Sequence, residues 1–285
     1  MPGFHLPIVR TVSELRARVR DWRAHGEQVG LVPTMGALHD GHLSLVRRAK
    51  QSAPKVITSV FVNPTQFGPN EDFQAYPRDE AHDAELLASV GCDLLYAPAI
   101  GEMYPEGFST RVMVGGVSEP LEGVARPGHL EGVATVVTKL LIQTAPDVAV
   151  FGEKDYQQLQ LIRRLVRDLD LPVEIIGAPT VRAQDGLARS SRNAYLSEAE
   201  RGVAGRLNVI LADMAKTLAG GGAVTQAEAR ARAALLEAGF DRVDYVEARA
   251  SDGLARQGPG PIEDPARVLA AVWLGRTRLI DNLEV

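Results

Sequence analysis

Short apolar runs and helical repeats alternate along the first two-thirds of the chain. Residues 29–33 predict a strand, and 41–50 predict the helix after it. Residues 55–62, β-branched and apolar, predict a buried strand. A helix over 79–90, a strand over 93–96, a helix over 130–143, a strand over 148–151, a helix over 155–169 and a strand over 173–176 continue the pattern. Alternation of this kind means βαβ units on a parallel sheet. Such crossovers are right-handed, so the predicted sheet is open and doubly wound. Near Thr180 the pattern changes. Ser197 and Glu200 predict a capping box ahead of a long helix reaching about Leu218. Gly220, Gly221 and Gly222 break the chain, and Thr225 with Glu228 predicts the cap of a second helix. Strands over 243–248, 268–274 and 278–283 follow, so the last third predicts a smaller α+β domain. Residues 98–107 and 119–128 predict mobile loops.

Composition narrows the class. The chain has 285 residues, 45% of them hydrophobic, enough for one large and one small domain. No run approaches the length of uncharged apolar sequence that spans a bilayer. Residues 1–10, with two prolines and no apolar core, do not read as a secretory signal. The net charge is -5, with both signs interspersed, which disfavours a general nucleic-acid binder. Cys92 stands alone, so no internal disulfide is expected; a small core residue in a cytoplasmic protein is the reading.

Ligands of open α/β sheets bind beyond the carboxyl ends of the strands. Polar clusters that carry chemistry should therefore follow strands directly. Thr34-Met35-Gly36-Ala37-Leu38-His39-Asp40-Gly41-His42 follows the first strand, and Asn63-Pro64-Thr65-Gln66-Phe67 the second. Gly152-Glu153-Lys154-Asp155-Tyr156-Gln157-Gln158 follows strand 148–151, and a segment over 182–193 containing Ser190-Ser191-Arg192 follows Val181. In the first cluster Gly36 admits a close backbone approach, and Gly41 opens a helix whose N-terminal N–H groups favour phosphate. Asp40 is the expected N-cap, and His39 and His42 are candidate phosphate donors. Zinc is a weaker reading, because no third ligand is near and the cysteine is distant. Lys154 at a helix start opposes the helix dipole unless an anion is also bound. Gln66, Gln157 and Gln158 suit hydroxyl and carboxylate recognition, and Ser190, Ser191 and Arg192 suit phosphate.

These blocks together resemble the pantothenate synthetases. The first is similar to their form of the HxGH motif, shared with other nucleotidyltransferases and class I aminoacyl-tRNA synthetases. Val62-Asn63-Pro64-Thr65-Gln66-Phe67 resembles the family's substrate segment. Phe151-Gly152-Glu153-Lys154-Asp155-Tyr156-Gln157-Gln158 is similar to a further block, and Ser190-Ser191-Arg192-Asn193 resembles its counterpart of the KMSKS loop. The resemblance implies a Rossmann-like domain over 1–180 that binds ATP and pantoate. It also implies a smaller domain over 181–285 that carries the Ser-Ser-Arg loop and covers the site.

It further implies that ATP meets Met35, Gly36, Ala37, Leu38, His39, Asp40, Gly41, His42, Gly152, Glu153, Lys154, Asp155, Val181, Arg189, Ser190, Ser191 and Arg192. His42, Lys154 and Arg192 would be catalytic. Gln66 and Gln158 would bind pantoate, and Asn63 with Gln66 would meet β-alanine. The implied reaction is an AMP-forming ligation of pantoate and β-alanine through a pantoyl adenylate. Mg²⁺ would accompany ATP with no protein ligand named, and the working form would be a cytoplasmic homodimer with no membrane partner. Arg189 departs from the pattern, because the family usually has an apolar residue there. The nearest rivals are another nucleotidyltransferase and a non-catalytic nucleotide sensor; the latter would be expected to lose His39, His42, Lys154 and Arg192.

Overall fold

The computed structural model describes residues 6–68 and 73–285. Residues 1–5, part of the stretch read as no secretory signal, lie outside the described residues, as do 69–72. The chain divides into two compact units. One takes the chain up to Glu153 together with Leu161–Pro179; the other takes Lys154–Gln160 and Thr180–Val285. No described helix is long and apolar enough to cross a membrane.

The first unit contains β1 (Ile8–Val9), α1 (Val12–Ala24), β2 (Val29–Thr34), α2 (Asp40–Lys50), β3 (Lys55–Val60), α3 (Glu80–Ser89) and β4 (Leu94–Tyr96). The short helices α4 (Ile100–Met103) and α5 (Glu122–Ala125) follow, then α6 (His129–Thr144), β5 (Val148–Gly152), the body of α7 (Tyr156–Asp168) and β6 (Glu174–Ala178). The six strands form one parallel sheet in the order β1-β4-β3-β2-β5-β6. From β2 the chain winds outward to β3 and β4, then returns to β5 and winds the other way. The order thus reverses between β2 and β5, the switch point where open α/β sheets take ligands. The central strands are apolar on both faces because helices cover both: Val32, Val56, Leu95 and Val150 are buried, and Leu45, Val46, Ala49 and Leu87 are buried against the same core. Each buried Val or Leu among them stabilises the unit by about 1.5–3 kcal/mol relative to exposure.

The second unit contains α8 (Glu198–Ala204), α9 (Arg206–Ala219), α10 (Val224–Glu237), β7 (Arg242–Ala250), β8 (Ala266–Leu274) and β9 (Thr277–Glu284). The strands form an antiparallel sheet in the order β7-β8-β9. Its core joins Leu207, Leu211 and Leu218 of α9 and Leu235 of α10 to Val246, Val268 and Val272 of the sheet. An α/β unit with a doubly wound sheet and a smaller α+β unit is the architecture expected from the pattern.

Three local expectations are corrected, and one unassigned segment is filled. The predicted long helix after Ser197 is two helices that meet at Gly205, where a Cβ would lie 2.6 Å from Asp185 Oδ2. The Ser197–Glu200 capping box itself is present. Thr225 does not cap α10. The N-cap is Ala223, Thr225 Oγ donates to the Pro259 carbonyl, and Glu228 accepts from the Ala248 N–H, so tertiary partners take both side chains. Residues 98–107 and 119–128, expected as loops, contain the helical turns α4 and α5, with Met103 fully buried. Residues 8–24 received no assignment from the sequence. The structure places β1 and α1 there, with Thr11 and Glu14 forming a capping box.

Candidate active site

The segment leaving β2 turns sharply. Gly36 (φ 81°) and Ala37 (φ 51°) are successive left-handed residues, an unfavourable conformation for alanine. The turn is held by Asp83 of α3, whose carboxylate accepts from the N–H of Ala37 (3.0 Å) and of Leu38 (2.8 Å). Asp83 is buried, and burial pushes its carboxyl above the ordinary range, partly offset by those two bonds. A Cβ on Gly36 would lie 2.9 Å from Asp83 Oδ2, so this glycine makes room for a carboxylate of the protein itself. The glycine expected to admit a close backbone approach is therefore also required by packing within the protein. Asp83 was missed from the sequence; nothing in a helix acid distant from the motif marks it.

Asp40 is not the N-cap of α2. It is the first helical residue and is exposed, whereas His39, extended at φ −144°, ψ 175°, caps the helix. His39 Nδ1 accepts from the Gly41 N–H (3.1 Å), and His42 Nδ1 accepts from the His39 N–H (3.3 Å). The His42 N–H donates to the His39 carbonyl (2.8 Å). The N–H groups of Gly41 and His42 expected to receive phosphate are therefore already bonded within the motif. Because each Nδ1 accepts, each neutral ring carries its proton on Nε2. The two rings lie 4.1 Å apart between centroids. The Nδ1 bonds thus fix the orientation of both rings within the motif.

Beyond β3, Asn63 caps a 3₁₀ turn (Pro64–Gln66). Asn63 and Gln66 are both buried. The Asn63 amide donates to Gln66 Oε1 (3.0 Å) and to the Gly132 carbonyl (3.1 Å), and Asn63 Oδ1 accepts from Tyr104 OH (2.8 Å). Burial raises the Tyr104 hydroxyl's pKa, a shift opposed by its contact with Thr65. Gln66 Nε2 donates to Met35 Sδ at 3.1 Å, so the second cluster touches the first. The Gln66 carbonyl accepts from His129 Nδ1 (2.8 Å) and from Arg126 (3.4 Å). Both segments expected as loops therefore deliver groups to this cluster: Tyr104 after α4, and Arg126 after α5. Their sequence signal was only the few apolar residues inside each loop, such as Ile100 and Met103, and Leu121 and Val124.

In the second unit Lys154 lies in a 3₁₀ turn (Glu153–Asp155), and α7 begins at Tyr156. Lys154, expected at a helix start, thus lies in a turn of a different helix type just ahead of the α-helix. Lys154 is partly buried, with Nζ 3.8 Å from Asp155 Oδ1. Residues 182–188 form a hairpin: Arg182 bridges Ala188, the Ala183 N–H donates to the Leu187 carbonyl and the Arg189 N–H to the Val181 carbonyl. Ser190 then caps the 3₁₀ segment Ser191–Tyr195, accepting from the Arg192 N–H (3.3 Å). Arg192 is half-buried and Arg189 is exposed. Cys92 is fully buried and bonded to Thr58, the core role expected of it. Among the described residues no group of three His, Cys, Asp or Glu could hold a metal ion.

Comparison with known proteins places these features in one family. The model of the pantoate–β-alanine ligase family matches residues 7–284. The chain is 64% identical to the pantothenate synthetase of Caulobacter vibrioides, over 98% of each chain. It is 59% identical to that of Mesorhizobium japonicum, over 98% of this chain and 97% of the other. The crystal structure of pantothenate synthetase from Thermus thermophilus superposes with a TM-score of 0.92 at 49% identity, covering 98% of this chain and 99% of the other. The pantoate–β-alanine ligase of Francisella tularensis, complexed with β,γ-ATP and β-alanine, gives a TM-score of 0.81 at 34% identity, covering 98% and 97%.

Proposed function

The chain belongs to the pantoate–β-alanine ligase family, a ligase of those two substrates that uses ATP, and from that premise we propose how its residues divide the work. Pantoate's carboxylate attacks the α-phosphorus of ATP, giving pantoyl adenylate and pyrophosphate. The β-alanine amine then attacks the acyl carbon; AMP leaves and the amide forms. A carboxylate is ionised at neutral pH, so the first step needs no general base. The protein's task there is positioning and the stabilisation of charge as pyrophosphate departs.

His42, Lys154 and Arg192 carry that charge in this reading. His39 adds a second imidazole donor, and Met35–His42, Gly152–Asp155, Val181 and Arg189–Arg192 line the nucleotide. Gln66 and Gln158 bind pantoate, and Asn63 with Gln66 receives β-alanine. The observation that carries the reading is the bond from Gln66 to Met35: it sets the substrate amide against the nucleotide motif. An acyl group held by Gln66 is thereby adjacent to the loop that precedes His42.

Mg²⁺ would enter with ATP as its complex, bound chiefly by phosphate oxygens and water. A homodimer in a reducing cytoplasm is the working form we propose; sedimentation checks the first. The function is tested by AMP formation from ATP, pantoate and β-alanine, with each omitted in turn. AMP should require all three under turnover. AMP formation with another acceptor in place of pantoate, and none with pantoate, would overturn the assignment.

A further inference from the structure

Two adjacent residues of the last strand, remote in sequence from every block discussed so far, hold two of those blocks. Asp281 and Asn282 of β9 are both buried. Neighbours on a strand point to opposite faces, so one pair of positions can serve two elements. On one side the Asp281 carboxylate takes both arms of the Arg182 guanidinium, at 2.7 and 2.9 Å. Arg182 also donates to the Gly186 carbonyl (3.0 Å), which clips the hairpin leading to Ser190, Ser191 and Arg192. On the other side the Asn282 amide donates to the Lys154 carbonyl at 2.9 Å. Its Oδ1 in turn accepts from Arg267 of β8 at 2.6 Å. Arg267 lies over the ring of Tyr156, 4.0 Å from its centroid, and Tyr156 OH donates to the Ser251 carbonyl. The Lys154 turn is thus fixed by a chain of side chains rooted in the sheet of its own unit. A 3₁₀ turn has poor internal hydrogen-bond geometry, so an outside bond to its carbonyl sets where it lies.

We propose that Asn282 and Asp281 are positioning residues of the ligase, with Asn282 fixing the turn that presents Lys154 and Asp281, through Arg182, the hairpin that presents Arg192. The proposal rests on the reading of Lys154 and Arg192 as phosphate-facing residues. Displacement of a reacting group by about 1 Å can cost a hundredfold in rate, so the effect belongs in the rate of the first step.

The test is pantoate-dependent exchange of labelled pyrophosphate into ATP, with thermal melting beside it. Asn282→Ala removes the bonds to Lys154 and to Arg267. Asn282→Asp keeps an acceptor for Arg267, whose guanidinium balances the new carboxylate, and turns an oxygen instead of a donor toward the Lys154 carbonyl. Both are expected to slow exchange by roughly ten- to a hundredfold. Asn282→Asp should still melt near wild type, so it carries the test if the alanine variant folds poorly. In a Lys154→Ala background, Asn282→Asp should slow exchange by less than about twofold more, because the group it positions is gone. Wild-type exchange in Asn282→Asp, or losses that multiply in full in the double variant, would show that Asn282 serves only the packing of the sheet. Arg182→Lys should likewise be non-additive with Arg192→Ala, and full multiplication there overturns the Asp281 half. Lys154→Ala is measured alone as well. If it exchanges at the wild-type rate, the phosphate role of Lys154 falls first, and the positioning role falls with it for that separate reason.

Discussion

At the scale of single residues, the candidate site is built on groups that bond the protein before they bond a ligand. Asp83 holds two backbone N–H groups of a left-handed bend. An asparagine there offers one oxygen and one N–H₂, so one loop N–H faces a donor. Asp83→Asn is expected to lower kcat/KM for ATP by about tenfold or more, a change of about 1.4 kcal/mol. The same residue gives a pH prediction. Burial holds its folded value above the unfolded one, with Asp79 adding to the shift and His82 and the two backbone bonds opposing it. A carboxyl raised in this way stabilises the fold below its unfolded value and loses that contribution as pH rises through the folded one. Wild type should therefore lose melting temperature relative to Asp83→Asn as pH rises across the acid range; a trend in the opposite direction would mean that the backbone bonds outweigh burial. For His42, the residue proposed to act on the leaving oxygen, His42→Asn keeps an acceptor near Nδ1 for the His39 N–H and removes the Nε2 donor. Adenylate formation in single turnover should slow by roughly 10²-fold, with equilibrium ATP binding changed much less. Weak ATP binding with a normal rate at saturation would make His42 a binding residue instead. Arg189 is exposed, and it is its main-chain N–H that bonds the Val181 carbonyl. Arg189→Leu leaves that bond in place and should keep activity within about tenfold.

At the scale of elements, helix–turn contact decides where the amides of Asn63 and Gln66, proposed to meet the substrates, lie. Gly132 in α6 faces the turn that carries Gln66: a Cβ there would lie 2.4 Å from the Thr65 carbonyl oxygen and 2.8 Å from the Gln66 nitrogen. The Gly132 carbonyl is also bonded by Asn63. Gly132→Ala must push the turn away from α6, because backbone atoms on both sides leave no side chain to yield. The KM for pantoate should rise by about tenfold or more while the KM for ATP changes less. Equal change in both would place Gln66 outside the pantoate contact. The capping of α10 shows the same rule at an element's end. Thr225 and Glu228 have the spacing of a capping box, yet each bonds a tertiary partner, so the local signal loses to packing.

At the scale of the whole molecule, the proposed reaction has two steps, and the first should run alone. Pantoate without β-alanine is expected to support exchange of labelled pyrophosphate into ATP; exchange that strictly required β-alanine would argue against a separate adenylate. The doubly wound order puts the start of both segments proposed to meet the nucleotide, after β2 and after β5, at the switch point of one sheet. That much was legible in the sequence by itself. Apolar runs of five or six residues between amphipathic helices specify a parallel sheet with polar segments at its carboxyl ends, because burial on both faces and the period of each element are local properties of the chain. The positions of His39, His42, Gln66 and Lys154 were legible for the same reason, since each segment follows a strand; that of Arg192 was not, because β6 ends at Ala178 and a hairpin intervenes. What only the tertiary structure decided is the set of partners. Asp83 reaches the bend from a helix over forty residues away, His39 rather than Asp40 closes α2, and Asn282 bonds Lys154 from the far end of the chain. A buried carboxylate or amide takes whichever donors the packed neighbours bring within reach, and that choice is made by contacts between distant segments that no local period encodes.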